Sequence, residues 1–120
     1  MFAGLGFAAD DRLAVAEATA AASAASEPGK QYEVLVGQAF GKAHGTTIGA
    51  CTRESKRPDL SNFSLFLRVG GEGVVEEALV KPETNISVCV RTRLAGWKAP
   101  LPPSPGLWVR IGVNLKPQRR

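Results

Sequence analysis

One stretch of this chain cannot be laid out as a strand. Across residues 84–97, Ile86, Cys89, Val90, Leu94 and Trp97 recur at the spacing of one apolar helical stripe, with Ser87, Arg91, Thr92 and Lys98 towards the other side. Glu83 and Thr84 place an acid and a cap at its start, just after Pro82. Gly96 and Pro100 supply stop signals. Strand-like patterns lie on both sides, so this helix must connect strands and cover them.

The strands read by period two. Over residues 62–69, Phe63, Leu65, Leu67 and Val69 share a face, with Ser64, Phe66 and Arg68 on the other. Gly70-Gly71-Glu72-Gly73 is a hairpin turn, where glycine supplies positive φ without steric cost. The return strand, 74–81, sets Val75 and Leu79 on one face and Glu76, Ala78 and Val80 on the other. Residues 100–105 form a proline-rich crossover loop. Residues 107–115 alternate most cleanly: Leu107, Val109, Ile111, Val113 and Leu115 face in, while Trp108, Arg110, Gly112 and Asn114 face out.

Upstream, residues 10–26 are alanine-rich, with Asp10 or Asp11 able to cap a helix whose only large aliphatics are Leu13 and Val15. That segment, 9–28, reads as a weakly packed helix, either a leader or a helix laid over the domain, or else as a linker. Ser26-Glu27-Pro28-Gly29 breaks it and opens the next helix, 29–43, with Tyr32, Leu35, Val36, Ala39 and Phe40 on one stripe. Gly41 and Gly45 weaken its end. Residues 46–53 can add a further turn or two, which would place Ile48 and Cys51 on one side, and 54–59 form a polar loop. The expected architecture is α+β in two layers: N-terminal helices, then a β-β-α-β unit whose three-stranded antiparallel sheet has one helix-covered face. The first strand sits in the middle and the last strand is an edge.

At 120 residues a single domain is expected, here 29–120. The net charge of +4 comes from scattered cations apart from Lys116 and Arg119-Arg120, without the interleaved aromatics of a nucleic-acid surface. No stretch approaches the roughly 20 apolar residues of a membrane span. Residues 1–8 read as the remnant of a signal peptide, cut after Ala8 and followed abruptly by Asp10-Asp11, or alternatively as an apolar tail. The first reading places the protein in the periplasm.

No catalytic constellation converges. His44 lies between Ala43 and Gly45 at a frayed helix end and is expected to face solvent. Glu76 and Glu77 are adjacent in a strand, so they point to opposite faces and form no dyad. The glycines at 70–73 lack the spacing and lysine of a phosphate loop. No Cys/His cluster has metal spacing. A non-enzymatic protein with no cofactor is expected.

Phe63-x-Leu65-x-Leu67-x-Val69, Gly71-Glu72-Gly73-Val74-Val75, the helix with Cys89-Val90 and Leu94, Pro102-Pro103, and Trp108-Val109-x-Ile111 stand in order and spacing that resemble the C-terminal domain of TonB. They resemble its small two-cysteine periplasmic relatives and the AgmX/PglI-like domains more closely still. The resemblance covers roughly residues 51–115. It departs from the family where Trp97-Lys98-Ala99-Pro100 replaces the usual Phe-Pro. No anchor stretch or long proline-rich spacer is present, so a binding domain is expected rather than a complete energy transducer. The resemblance implies this fold, an envelope compartment, and strand-type capture of a peptide.

Cys51 and Cys89 permit one intramolecular disulfide. In an exported protein they would be oxidised, closing a loop of roughly forty residues worth on the order of 3–4 kcal/mol; in the cytosol they would be two buried thiols. Two functions follow. The first is an envelope binding module that captures another envelope protein, or a second copy of itself, through the last edge strand, with Trp108, Arg110 and Asn114 on its outer face. The bland alternative packs Trp108 under the N-terminal helix and leaves Arg110 solvated. The second is an exported inhibitor or immunity-type protein that blocks an enzyme with the loop at 98–105, including Lys98, Pro102 and Pro103.

Overall fold

The alternating segments assemble around one central strand. The computed structural model describes residues 9–115 as α1 (Ala9–Ala24), α2 (Glu27–Glu54), β1 (Phe63–Val69), β2 (Val75–Lys81), α3 (Asn85–Arg93) and β3 (Leu107–Val113). The signal remnant expected at 1–8 and the basic end at 116–120 lie outside the described residues. The sheet has the order β2-β1-β3 and is antiparallel throughout. The α+β class and the edge position of the last strand are as the patterning implies, because α3 carries the chain past β1 before β3 pairs.

β1 is buried on both faces. Phe63, Leu65, Leu67 and Val69 pack with Tyr32, Val36 and Phe40 of α2 and with Ile86, Val90 and Leu94 of α3. Phe66 points the other way, into a second cluster with Ala16, Ala20 and Trp108, flanked by Leu13 and Leu79. The two-layer expectation is thus corrected to three layers, with α1 on one face and α2 and α3 on the other. Alanine makes the difference. Ala16 and Ala20 are fully or almost fully buried, and their small side chains let the α1 backbone lie close over two large aromatic rings. Arg12 pairs with Glu77, and Lys81 Nζ donates to Glu17 at 3.0 Å. The Lys81–Glu17 pair is exposed, and such a pair contributes only about 0–1 kcal/mol, whereas the Glu77 side chain is only 16% exposed, so its pairing with Arg12 adds to the apolar burial that holds α1 in place.

The faces of β2 also differ from expectation. Val69 pairs with Val75 while Arg68 pairs with Glu77, which leaves Glu76 unmatched in a bulge. One extra residue reverses the parity of everything beyond it. Val75 and Val80 therefore share the α2/α3 face, and Leu79, opposite Phe66, turns to α1. Gly73 closes the hairpin at φ 90°, and a Cβ there would sit 2.5 Å from the Ala99 carbonyl oxygen.

α2 does not stop near Gly41 and Gly45. It runs unbroken for 28 residues, and at 1.5 Å per residue it is about 42 Å long. Ser26 caps its start, accepting from the Gly29 N–H at 3.2 Å, with Glu27 and Pro28 in the first turn. Tyr32, Val36, Phe40 and Cys51 form its buried stripe. Leu35, expected in that stripe, is 48% exposed, because burial falls on every fourth residue and Leu35 lies one step off the line. Gly37, Gly41 and Gly45 face open space, with nothing within 4 Å of an added Cβ.

α3 is shorter than the 84–97 stripe. Thr84 and Ser87 exchange bonds in a capping box, with Ser87 N–H to Thr84 Oγ1 at 3.0 Å and Thr84 N–H to Ser87 Oγ at 2.8 Å. The helix ends at Arg93, and Gly96 at φ 78° turns the chain outward. Trp97 then leaves helix geometry, and its carbonyl accepts from the Val75 N–H at 2.9 Å.

A Cys51–Cys89 disulfide links α2 to α3 across 38 positions, beside an Arg93–Glu54 ion pair. Replacing both cysteines by serine is expected to remove about 3–4 kcal/mol of stability, read as a lower urea midpoint. Gly41→Ala and Gly45→Ala, on the open face of α2, are each expected to add about 0.5–1 kcal/mol in the same measurement.

Candidate functional site

A three-stranded sheet has two edges, and here they are treated differently. The β2 edge is bulged, carries Glu76, Glu77 and Lys81, and is partly covered where Lys98 bridges Val74. Charges, bulges and cover are the usual ways of blocking strand addition. β3 instead pairs with β1 in unbroken register from Phe63↔Val113 to Val69↔Leu107.

A groove of about 470 Å³ runs along the outer side of β3. Its strand side is the consecutive run Arg110, Ile111, Gly112, Val113 and Asn114, and its helix side is Glu33, Val34, Gly37, Phe40 and Ile48 of α2. Neighbouring strand residues point to opposite faces, so a depression bordered by consecutive residues opens on the strand edge itself. The Leu115 N–H is turned towards β1, where it donates to Asn62 Oδ1 at 3.0 Å. Alternation along the strand then turns the backbone groups of Gly112 and Arg110 outward, into the groove.

Arg110 stands exposed on the α1-side face. Its Nε donates to Ser64 Oγ at 3.0 Å, and its guanidinium lies over Gly112. Asn114 is exposed at the end of the groove. Trp108 is corrected from an outward anchor to a buried residue. It is 9% exposed because α1 covers it, so it touches Ala16 and Ala20 rather than a partner.

Lys98, Pro102 and Pro103 do not join this groove. They belong to the crossover, which is fastened at both ends. The Ala99 N–H donates to Gly73 O at 2.7 Å, and the Gly106 N–H donates to Val69 O at 2.8 Å. The Tyr32 hydroxyl donates to Pro100 O at 2.6 Å, and burial pushes the Tyr32 pKa up to about 12. Between these anchors Leu101 is 67% exposed. Sequence reasoning missed Leu101, and it missed the whole α2 wall of the groove. The available signal was Val34-Leu35, two large aliphatics side by side on an amphipathic helix, of which only one could have been on the buried stripe.

His44 is half-buried rather than turned to solvent. Its ring stacks on Phe40 at 5.7 Å and meets the edge of Trp97 at 5.0 Å. Nδ1 shares a 3.2 Å hydrogen bond with Thr47 Oγ1, while Nε2 is buried with no partner. Burial therefore holds its pKa below the ordinary 6.5. Among the described residues no three His, Cys, Asp or Glu side chains gather to hold a metal ion, and no helix is long and apolar enough to cross a membrane.

The unfolded chain binds a proton at His44 more readily than the folded one, so its contribution to stability is complete above pH 6.5 and falls away as pH drops. Thermal unfolding is expected to show a lower Tm at pH 5 than at pH 7.5. His44→Phe is expected to shrink that difference, since a phenyl ring fills the aromatic wedge without titrating.

No protein-family model matches the chain, and no curated protein or solved structure matches it either.

Proposed function

We propose that this protein is a non-enzymatic binding module of the bacterial cell envelope that captures an extended segment of another protein by adding it as a fourth strand to β3. The observation that carries this reading is the groove bordered by five consecutive residues, 110–114, along an unbulged edge. Strand addition needs outward backbone donors and acceptors and a wall to receive alternate side chains, and β3 with α2 supplies both. The Cys51–Cys89 disulfide favours an oxidising compartment, and the resemblance to TonB C-terminal domains favours the periplasm. The one histidine is wedged between aromatic rings, which suits packing better than proton transfer.

The inhibitor reading keeps one observation in its favour: Leu101 is held out at 67% exposure between the anchored ends of the crossover. The two readings use different surfaces and separate cleanly. Peptides from a displayed random library, selected on the isotope-labelled full chain, are expected to shift the amides of residues 110–114 and to slow hydrogen exchange at Arg110 and Gly112. A Cβ added at Gly37 meets nothing within 4 Å, so Gly37→Leu has room to project into the groove and should fill it. It is expected to lower peptide affinity at least tenfold with the fold intact. Shifts confined to 98–105 would instead assign binding to the loop.

A further inference from the structure

We infer that the segment added to β3 carries large apolar residues opposite Val113 and Ile111, its first and third positions from the N-terminus, and an acidic residue at the second or fourth position, opposite Gly112 or Arg110, where the Arg110 guanidinium meets it. The inference rests on the strand-addition reading and names the class of peptide it would take.

The register dictates the pattern. Residues directly opposite one another across an antiparallel pair point to the same face. A residue added opposite Arg110 therefore points to the α1-side face, beside the Arg110 guanidinium. Residues added opposite Ile111 and Val113 point to the other face. There they meet the α2 wall of Val34, Gly37, Phe40 and Ile48, and Gly37 leaves a notch with nothing within 4 Å of an added Cβ. A notch of that kind takes a large aliphatic or aromatic side chain. Gly112 offers no side chain of its own, and the Arg110 guanidinium lies over it, so a residue added opposite Gly112 meets the same charge as one added opposite Arg110. The existing sheet is antiparallel throughout, and the same arrangement for the added strand gives the better hydrogen-bond geometry.

Charge decides the second and fourth positions, which share the face of the Arg110 guanidinium. On the same side of the sheet, Arg12, Arg68 and Lys81 each lie within 4 Å of a carboxylate, from Glu77, Glu76 and Glu17. Arg110 rests on the neutral Ser64 hydroxyl instead, and among the described ion pairs it has none. Glu17 and Glu33 border the depression beside it, but neither comes within ion-pair distance. An incoming carboxylate opposite Arg110 meets a guanidinium with donors to spare.

The same accounting argues for a foreign partner over a second copy. The β3 sequence Leu107 to Val113 contains no acid, so a second β3 cannot present one to Arg110 in any register. The chain beyond it, 114–120, is basic and contains no acid either.

The test is a displayed peptide library with four consecutive randomised positions in a threonine-rich frame, panned against the full chain with its disulfide intact and, in parallel, against Arg110→Glu. Arg110 is exposed, so the variant should fold, and its circular dichroism and Tm check that. The wild-type chain is expected to enrich Asp or Glu at the second or fourth position and Leu, Ile or Phe at the first and third. Arg110→Glu is expected to switch that acidic position to Lys or Arg and leave the apolar positions unchanged. A peptide from the wild-type selection should bind Arg110→Glu at least tenfold more weakly, and exchanging its acid for lysine should restore affinity. If peptides shift the 110–114 amides but show no charge preference, or keep the same preference on Arg110→Glu, this inference is overturned while strand addition stands. If no selected peptide touches 110–114, strand addition fails and takes this inference with it. If the chain alone is a dimer with 110–114 already protected, the occupant is a second copy and the inference is again overturned.

Discussion

The whole arrangement depends on β1 having apolar side chains to bury on both faces. A strand with one buried face needs one cover; β1 sends Phe63, Leu65, Leu67 and Val69 to one side and Phe66 to the other, and so needs two. α2 and α3 supply one and α1 the other. The chain must then pass from face to face around the sheet. It does so beside β3, where Ala20, Ala21 and Ala24 of α1 and Glu33 of α2 all border the depression around Arg110. The edge that stays unpaired is thus the edge with a helix on either side. The groove follows from the need to cover the core.

The parts of this fold that were legible in the sequence are those set by local pattern. Strict alternation located β1 and β3, the glycine run at 70–73 located the hairpin, and Pro82, Glu83 and Thr84 located the start of α3. The strand order followed from the crossover. What escaped was set by tertiary context. The bulge at Glu76 is a single unmatched residue, and nothing in Val75 to Leu79 announces it. Alanine has no preferred partner, so the packing of Ala16 and Ala20 on Trp108 could be entertained but not chosen. The glycines at 41 and 45 read locally as an ending, because intrinsic propensity does not register the packing of Phe40 or the link at Cys51. His44 was misplaced for the same reason: with α2 continuing, it is an interior turn against Trp97 and no longer a frayed end.

Of the candidate site, the edge strand, Arg110 and Asn114 were visible, and the opposite wall was not. A groove between a helix and a strand is a property of two segments far apart in sequence, and no local signal pairs Gly37 with Gly112. The glycines of α2 are instructive here. Each weakens an isolated helix by about 1 kcal/mol relative to alanine, yet Gly37, Gly41 and Gly45 touch nothing that would require their small size. At Gly37 the missing side chain is what keeps the groove open. For Gly41 and Gly45 the described residues provide no structural reason.

The position of the disulfide along the chain has a consequence in time. Cys51 and Cys89 both precede β3, so the covalent link between α2 and α3 can close while the last strand is still absent. During that interval the vacant side of β1, with Leu65 and Leu67 at its centre, is itself an open edge above a half-covered core. A β3 arriving in that order would add to the edge of β1 as a strand of the same chain, just as a foreign segment would add to β3. The edge that β3 offers afterwards moves that same receptive position one strand outward.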